Sequence, residues 1–589
     1  MKKEEETNKN TKMKKLIPLI FFLILLSSTA LATKGHLTLL TVGEVRNESV
    51  GGTADLFLEI KPGTGRIFID SFPLTKVDTQ ISTRFAKEVA CHFLEMDCSN
   101  SDFFYTIRAK APIVGGPSAG SAIAILTISL LDGIPLDENT VITGTINSGG
   151  IIGPVSGIEE KTKAAKKKGF DTVLIPKWSI LRIDNETNNS EQNATDSSQV
   201  NTTIVYAEEL DVSGVNVITV STLEEALEIF TGKKYKKYDY PIKIPPKYQS
   251  IMKDVSKELC NRFDTIYSQV SEEIKLEHNY SVNRTESAIN QSKEAMNRED
   301  YYSAASFCFS ANTIARTLEY SNYTNESLLK IKDKAIRDVQ IMIKKIDQTN
   351  LKTVSDLETY IIVKERLFEA ENLLEENDST IIDNLGYIIE RFYSAVAWSS
   401  FFDYKENEVN LDETYLAQAC LSKIQEAEER TEYVSLLVGD LLDKEELSDL
   451  RDIYAQGDYA FCLFKASKTK AEADALLSTL AVTKEKLPEL IEDKLELGKS
   501  AVNKQGTKFP ILGYSYYNYA NSLKDTNAPL AVIFSEYSIE LSNLDMYFPK
   551  QKNLKVHYNY STVFNVLLGF ILGFIVASYI SSKKKRQRK

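Results

Sequence analysis

The spacing of hydrophobic positions divides this 589-residue chain into two regions with different secondary structure. Before residue 233, short runs of β-branched and aromatic residues alternate with amphipathic helical stretches, a pattern typical of an α+β domain. The runs that predict strands are Leu37–Val42, Asp55–Ile60, Gly65–Ile69, Phe103–Ala109, Val141–Asn147, Thr172–Ile175 and Val215–Val220. A polar tract, Asn185–Thr203, interrupts the region and predicts an exposed, glycosylated loop.

Helical periodicity takes over in the second region. Residues 233–247 form a basic, proline-containing segment that predicts a linker, and residues 248–545 predict an all-α domain of helical hairpins. Four stretches there combine aromatic and small residues: Tyr301–Ala305, Phe392–Val396, Asp458–Phe461 and Tyr516–Ala520. Their irregular spacing excludes a fixed-period repeat, and we expect their tyrosines to pack between helices rather than to line a peptide-binding surface.

Both ends of the chain carry membrane-targeting patterns. Residues 1–32 combine a lysine-rich start, an apolar stretch and an Ala-x-Ala site ending at Ala32, which predicts a cleaved signal peptide or, as the alternative, an uncleaved signal anchor. Residues 563–580 are apolar and uncharged, and residues 581–589 are basic, which predicts a transmembrane helix with a cytoplasmic tail after a juxtamembrane segment at 546–562. The domains between the two ends are then expected outside the cytoplasmic membrane.

Two further features are typical of an extracytoplasmic protein. Asn-x-Ser/Thr triplets are frequent and predict a glycoprotein, although an Asn- and Ser-rich chain also forms such triplets by chance. Examples begin at Asn47, Asn185, Asn193, Asn201, Asn279, Asn283, Asn322, Asn325, Asn377 and Asn559. Six cysteines, an even number, lie in the predicted exterior part: Cys91, Cys98, Cys260, Cys308, Cys420 and Cys462. A Cys91–Cys98 bridge and two bridges between helical segments are the local pairings, and six buried thiols are the alternative.

Composition argues against several classes of function. A net charge of −12 and a pI near 5.3 disfavour nucleic-acid binding. The chain has four histidines and no Cys-x2-Cys pair, so neither a metal site nor a cofactor is predicted. The adjacent Cys91 and His92 suggest a cysteine nucleophile, but the helical spacing of Phe85, Val89 and Phe93 favours a core-packing role for this segment.

A candidate nucleophile stands in Gly115–Gly120, whose sequence is Gly-Gly-Pro-Ser-Ala-Gly. Proline at the first helical position and the apolar run behind it predict a helix start with Ser118 in the first turn. The unpaired N–H groups of such a turn carry the positive end of the helix dipole, so the backbone from Gly116 to Ser118 is predicted to hold an oxyanion. The alternative is a serine that only packs at a helix start.

A candidate base, Lys161, lies on a later predicted helix. Ser156 and Glu159 have capping-box spacing, and Gly169 predicts the end of this helix. Lys161 shares a helix face with apolar residues, whereas the other lysines of the helix are expected to face solvent. Burial lowers the pKa of an amine and makes it a base at neutral pH, and the alternative is an ammonium group that snorkels to water.

From His36 to Thr231 the chain resembles the proteolytic domain of the Lon endopeptidase family. The motifs that carry the resemblance are Gly116–Gly120, Ile134–Leu136, Thr143–Ile146, the Lys161 segment and Gly169–Pro176. The resemblance implies that Ser118 is the nucleophile and Lys161 the general base of a Ser-Lys dyad. It further implies supporting roles for Gly116 and Pro117 beside the serine, and for Thr143 as a hydrogen-bond partner of the lysine.

The chain departs from the usual family pattern at three points. The family carries Lys-Asp before Gly-Pro-Ser, where this chain has Val114-Gly115. The family's lysine ends the sequence Gly-Leu-Lys-Glu-Lys, whereas the residues before Lys161 in this chain are Gly157-Ile158-Glu159-Glu160. These departures affect substrate positioning and leave the dyad intact. No Gly-x4-Gly-Lys-Ser/Thr phosphate loop occurs. The resemblance is therefore to the membrane-associated, ATPase-lacking Lon-like proteins of archaea.

The predicted architecture is an α+β Lon-type protease domain at residues 33–232, an all-α helical-hairpin domain at 248–545 and a C-terminal transmembrane helix. The predicted function is that of a membrane-anchored, ATP-independent serine endopeptidase acting on peptide or protein substrates outside the cytoplasmic membrane. The alternative is a catalytically inactive Lon-like scaffold or binding ectodomain whose helical region mediates interactions. We expect contact with the lipid bilayer through the C-terminal helix. A homo-oligomer is left open by analogy with the six-membered rings of Lon domains, and Gly569 and Gly573 permit close helix pairing.

Overall fold

The structure is a computed structural model that describes most of the chain between residues 33 and 548. The described residues are 33–45, 48–186, 201–206, 210, 212–376, 378–404, 411–438, 444–480, 482–505, 508–548, 569 and 573. The predicted signal segment, the basic tail and all but two residues of the predicted transmembrane helix lie outside them. Within these described ranges, no helix has both the length and the apolar character needed to cross a membrane.

A four-stranded sheet forms the first half of the α+β region. Its strands are β1 Thr33–Val45, β2 Glu48–Pro62, β3 Ile67–Thr75 and β4 Ser101–Val114, in the order β1-β2-β4-β3. Strand β2 runs antiparallel to both β1 and β4, while β3 runs parallel to β4 and lies at an edge of this sheet. Helix α1, Val77–Phe93, connects β3 to β4 and buries Phe85 and Val89 in the core beside the sheet.

A second group of short elements follows and carries the remaining core of this region. It comprises α2 Gly120–Asp132, β5 Thr140–Ile142, β6 Thr145–Asn147, β7 Ile151–Gly153, α3 Ile158–Lys168, β8 Thr172–Pro176, β9 Ile180–Glu186, β10 Asn201–Tyr206, β11 Asn216–Val220 and α4 Leu223–Thr231. Strands β11, β8 and β5 form a parallel sheet, and β6 and β7 form an antiparallel pair. Helix α2 is apolar on nearly all faces, and its residues from Gly120 to Ser129 are accordingly all buried.

Two expectations for this region were wrong in detail. The single strand predicted at Val141–Asn147 is two strands, because Thr143 and Gly144 leave the sheet and bond the carbonyl of Ser118. The loop predicted at Asn185–Thr203 is strand at both ends, where β9 pairs antiparallel with β10. Runs of β-branched residues flank the polar tract, and their cross-strand pairing outweighs the polar composition of its ends.

The helical region contains thirteen described α-helices and follows a non-helical connection at residues 233–245. They are α5 Pro246–Tyr267, α6 Glu272–Glu277, α7 Asn279–Asn297, α8 Tyr301–Tyr320, α9 Asn325–Asp347, α10 Val354–Leu374, α11 Asp378–Trp398, α12 Glu413–Val438, α13 Lys444–Ala455, α14 Tyr459–Leu480, α15 Leu487–Lys504, α16 Ile511–Leu523 and α17 Ala528–Ser542. Tyr302, Phe461 and Tyr516 are buried in the largest core of the protein, which confirms the predicted packing role of the aromatic stretches.

Three disulfides cross-link the chain. Cys91 pairs with Cys98 at the end of α1, Cys260 of α5 pairs with Cys308 of α8, and Cys420 of α12 pairs with Cys462 of α14. The sequence-based pairings of one local bridge and two inter-helix bridges are confirmed, and the six buried thiols are excluded. Each inter-helix bridge joins two helices that also pack along their length.

The helical region packs directly on the α+β region. Trp178, which follows β8, joins an apolar cluster with helical residues such as Leu490 and Ala531, and its indole N–H donates to Asp493 at 3.0 Å. On another side, His92 of α1 lies 3.3 Å from the carboxylate of Asp545. The two regions therefore share buried apolar and polar contacts rather than only a connecting segment.

Candidate active site

Ser118 lies at the junction between β4 and α2. The chain leaves β4 at Val114, passes through Gly115 and Gly116, and forms a short 3-10 turn, Pro117–Ala119, before α2 begins. Gly116 has φ 97° and ψ 153°, a backbone conformation that only glycine adopts without strain. Ser118 was predicted in the first turn of the helix, and it lies in this 3-10 turn instead. Its side chain is half-buried.

The start of α1 holds the chain just before Ser118. A carboxylate oxygen of Asp78 accepts the Gly116 N–H at 2.9 Å. The Thr79 hydroxyl donates to the Gly116 carbonyl at 3.4 Å, and the Ser82 hydroxyl donates to the Pro117 carbonyl at 3.4 Å. The supporting residues Gly116 and Pro117 are thus fixed by polar side chains of a single helix.

This arrangement leaves fewer backbone N–H groups for an oxyanion than the sequence predicted. The Gly116 N–H is already used by Asp78, and Pro117 has no N–H to offer. Of the backbone from Gly116 to Ser118, only the amide of Ser118 is left as a donor. Sequence reasoning missed Asp78, which lies in the first turn of the observed helix α1, where a carboxylate is favoured by the helix dipole.

The turn between β5 and β6 holds Ser118 from the other side. The Thr143 hydroxyl donates to the Ser118 carbonyl at 3.3 Å, and the Gly144 N–H donates to the same oxygen at 3.0 Å. A Cβ atom on Gly144 would lie 2.5 Å from Ile152, so the close approach requires glycine. The structure thus brings Thr143 and Ser118 together, while the hydrogen bond from Thr143 to the lysine stays a prediction.

Helix α3 carries Lys161. The sequence predicted the C-terminal end of this helix correctly and its N-terminal cap incorrectly. The capping box of Ser156 and Glu159 is wrong, because Gly157 is the N-cap, adopts φ 65° and has no side chain to accept a hydrogen bond. The end at Gly169 is confirmed: its φ is 98° and its N–H donates to the Ala165 carbonyl at 3.1 Å. This is a left-handed C-cap of the kind that glycine favours.

Lys161 is buried, with only 2% of its surface exposed. It lies between Ile158 and Ala165 on the inner face of α3, and these two residues share an apolar cluster with Val141 of β5 and Val173 of β8. Burial lowers the pKa of Lys161 to about 7, and the nearby Glu160 only partly opposes this effect. Within the described part of the chain, no carboxylate forms an ion pair with its ammonium group. A substantial fraction of the amine is therefore neutral near pH 7.

The other lysines of α3 behave as the sequence predicts. Lys163, Lys166 and Lys167 are exposed, and the Lys163 ammonium pairs with Glu159 one turn earlier at 2.6 Å. The contrast with Lys161 shows that helical position, not residue type, sets the environment of each amine on this helix.

Both candidate residues are connected to strand β5. Ser118 is bonded to Thr143, which directly follows Ile142 at the end of β5. The face of α3 that carries Lys161 packs against Val141 of the same strand. A hydroxyl held at a helix start and a buried amine with a lowered pKa are the two groups that Ser-Lys hydrolysis requires.

The Cys91–His92 pair is not a nucleophilic site. Cys91 is in a disulfide with Cys98 and has no thiol. The His92 ring faces the Asp545 carboxylate, which belongs to the end of the helical region. This confirms the structural role predicted for the segment.

Residues 96–204, which include Ser118, Thr143 and Lys161, match the model of the Lon protease (S16) C-terminal proteolytic domain. A Lon protease of Paraburkholderia phytofirmans is 38% identical over 134 residues, which is 22% of this chain and 16% of that protein. An archaeal Lon protease of Methanocaldococcus jannaschii is 24% identical over 135 residues, 23% of this chain and 17% of that protein. Another, from Archaeoglobus fulgidus, is 37% identical over 84 residues, 14% of each chain. The chain thus spans about a sixth of the length of these relatives.

Proposed function

Because the chain carries a Lon-type proteolytic domain, we propose that it is a membrane-anchored, ATP-independent serine endopeptidase that uses Ser118 as nucleophile and Lys161 as general base. The observation that carries this proposal is the buried amine of Lys161, whose pKa of about 7 makes it a proton acceptor at neutral pH. An amine without a carboxylate partner is costly to bury, and catalysis gives a reason for its presence.

The proposed reaction is acyl transfer through a serine ester. Neutral Lys161 takes the proton from the Ser118 hydroxyl, and Oγ attacks the scissile carbonyl carbon. The Ser118 amide stabilises the oxyanion, since it is the donor left in the Gly116–Ser118 backbone. The protonated lysine then gives its proton to the leaving amine. Water, deprotonated by the same lysine, attacks the ester carbonyl, and the lysine returns this proton to Ser118 Oγ as the carboxyl product leaves.

Fixed backbone geometry supports this mechanism. Thr143 and Gly144 hold the carbonyl of Ser118 from one side, and Asp78 and Ser82 hold the two preceding residues from the other. The backbone of the nucleophile turn is thus ordered before the substrate binds, which lowers the entropic cost of reaching the transition state.

ATP independence and location are parts of the proposal that rest on sequence features and chemistry. No phosphate-loop motif occurs in this sequence. Three disulfides are typical of an oxidising compartment, and the acceptor residues Asn322 and Asn325 are exposed at the turn between α8 and α9. Together with the apolar segment at 563–580, these features support an enzyme that is tethered to the membrane and faces outward.

A small fluorophosphonate that reacts with activated serines tests the catalytic assignment. We expect the full chain to be labelled at Ser118, and both labelling and casein cleavage to be lost in Ser118→Ala and in Lys161→Met. Lys163→Met is the matched control, because it removes an exposed amine from the same helix. Absence of labelling in the wild type, with equal casein cleavage by wild type and Ser118→Ala, would overturn the proposal and favour the non-catalytic scaffold.

A further inference from the structure

Helix α12 of the helical region lies against the proposed peptidase site. Three of its residues, Glu429, Arg430 and Tyr433, are buried although all three are polar. Positions i, i+1 and i+4 fall on neighbouring parts of one helix surface, and Arg430 and Tyr433 hydrogen-bond two different segments of the α+β region. These segments flank the proposed site, although α12 lies far from them in sequence.

Tyr433 anchors the segment that leads to the proposed base. Its hydroxyl accepts the backbone N–H of Ser156 at 3.0 Å. Ser156 precedes the N-cap Gly157, and Lys161 follows within the first turns of α3. A buried N–H without a partner is strongly unfavourable. The Tyr433 hydroxyl therefore fixes the position at which α3 begins.

Arg430 anchors β6, the strand that follows the turn holding the Ser118 carbonyl. Its guanidinium donates to the Asn147 side-chain oxygen at 2.8 Å and approaches the Thr145 hydroxyl at 3.5 Å. Both residues belong to β6, which begins directly after the Thr143–Gly144 turn that holds Ser118. Asp474 of α14 binds the same guanidinium and balances its charge.

Glu429 is the third buried polar residue on this helix surface. One of its carboxyl oxygens is buried without a hydrogen-bond partner. Burial raises the pKa of this carboxyl to about 7 against the opposing effects of Arg430 and Lys470, and Asp474 and Asp78 raise it further. Asp78 is the residue that accepts the Gly116 N–H. The charge of Asp78 thus contributes, after burial, to the electrostatic environment of Glu429.

We propose that Tyr433 and Arg430 are positioning residues of the peptidase site, so that the helical region completes the active site rather than only recruiting substrate. The inference rests on the proposed function. Tyr433 fixes the position at which α3, the helix that carries the base, begins. Arg430 fixes the position of β6, the strand that follows the Thr143–Gly144 turn. Neither residue touches the reacting atoms. Their effect is on the alignment of Ser118 and Lys161 and on the exclusion of water from the amine.

The variant Tyr433→Phe in the full chain tests this inference, because it removes the hydroxyl acceptor and keeps the ring. We expect kcat, normalised to the fraction of Ser118 labelled by fluorophosphonate, to fall by about tenfold or more, with KM changed by less than about twofold. Water entering beside Lys161 raises its pKa, so the acid limb of the kcat–pH profile moves to higher pH. Arg430→Lys, which keeps the charge facing Asp474, is expected to lower kcat in the same way.

The control is Tyr415→Phe, which changes a partly exposed tyrosine on the same helix and is expected to leave kcat and the pH profile unchanged. Hydrogen exchange over residues 154–161 reports on the Ser156 contact without relying on activity, and we expect faster exchange in Tyr433→Phe. A labelled wild type with the same kcat and pH profile as Tyr433→Phe overturns this inference alone. A wild type that is not labelled at Ser118 overturns the proposed function, and this inference with it.

Discussion

The Ser148 hydroxyl donates a 2.8 Å hydrogen bond to the carboxylate of Glu540, which lies 392 residues further along the chain. Ser148 is in the turn between β6 and β7, and Glu540 is in α17. Lys423 and Lys470 contact the same carboxylate at 3.1 and 2.6 Å. Burial alone would raise the pKa of Glu540, but the two ammonium groups lower it to about 2. One ionised carboxylate therefore connects the two regions next to the proposed site.

Replacing Glu540 by glutamine is expected to destabilise the protein by about 3 kcal/mol, because the two buried ammonium groups of Lys423 and Lys470 then share Glu426 as their remaining carboxylate partner. Urea unfolding at pH 7 measures this loss. Because the folded-state pKa is depressed, the contribution of Glu540 is present above the normal carboxyl pKa of 4.5 and disappears as the pH falls from there toward 2. Glu489→Gln, which breaks an exposed ion pair with Lys177 at the same interface, is the control and should cost less than about 1 kcal/mol. Equal stability of the two variants would contradict the role given to Glu540.

Peptidase activity is expected to depend on the protonation of Lys161. Only the neutral amine accepts the Ser118 proton, so kcat/KM should rise with pH along a single ionisation with an apparent pKa of about 7. Initial rates on a peptide substrate between pH 5 and 9 give this profile. An acid limb that stays unchanged when Lys161 is replaced would assign the ionisation to another group.

The same burial predicts a stability change. Lys161 has a lower pKa in the folded state than its ordinary value of 10.5, so charging it opposes folding. The full cost is present below pH 7, where the amine is protonated in both states, and it is relieved as the pH rises from 7 to 10.5. Lys161→Met should therefore raise stability by on the order of 4 kcal/mol at low pH, with a smaller gain at alkaline pH. Thermal unfolding of this variant and of Lys163→Met, across pH, separates the buried amine from the exposed one.

An apolar edge beside the site is expected to contribute to substrate binding. Among the strands that the structure describes, β3 pairs with β4 alone, and its residues Phe72 and Leu74 are 71% and 77% exposed. Its end is in register with the end of β4, from which the chain continues to Ser118. We expect Phe72→Ser with Leu74→Ser to raise KM for extended apolar peptides by about tenfold, since each side chain would lose apolar contact. Ser118 labelling by a small fluorophosphonate should not change, and Leu276→Ser, at a distant exposed position, should affect neither measurement.

The inter-helix disulfides are expected to stabilise the helical region more than the local bridge stabilises α1. The Cys260–Cys308 bridge spans 48 residues and Cys91–Cys98 spans 7. On loop-closure entropy, removing them by paired Cys→Ser substitution costs about 4 and about 2 kcal/mol respectively. Chemical unfolding of the two paired variants checks the order. A larger loss for the short loop would show that strain or packing, rather than chain entropy, dominates.

Most of the secondary structure was predictable because its signals are local. The strand cores and the ends of helices such as α3 at Gly169 follow from side-chain periodicity and from glycine at a left-handed position. The errors arose where a distant segment supplies the hydrogen bond. Thr143 and Gly144 leave their strand to hold Ser118. Ser156, predicted as the cap of α3, instead donates its N–H to Tyr433, and Gly157 is the N-cap.

The candidate site shows the same division. Ser118 and Lys161 were identifiable from a small-residue helix start and from a lysine on an apolar helix face. Asp78, Arg430 and Tyr433 were not, because each contacts the site across 38 or more positions of the chain. No local pattern in the sequence records such a contact.

The sequence by itself determined the order of elements, the two kinds of region and the two residues with suitable chemistry, since helix caps, strand alternation and motif spacing depend on neighbours in the chain. Only the tertiary structure decided the environment of those residues. The pKa of Lys161 near 7 depends on desolvation by α3, β5 and β8 together. The support of the Ser118 loop depends on hydrogen bonds from α1 and from the turn after β5. Burial and polar pairing arise from segments that are distant in sequence, and they exist only once the chain has packed.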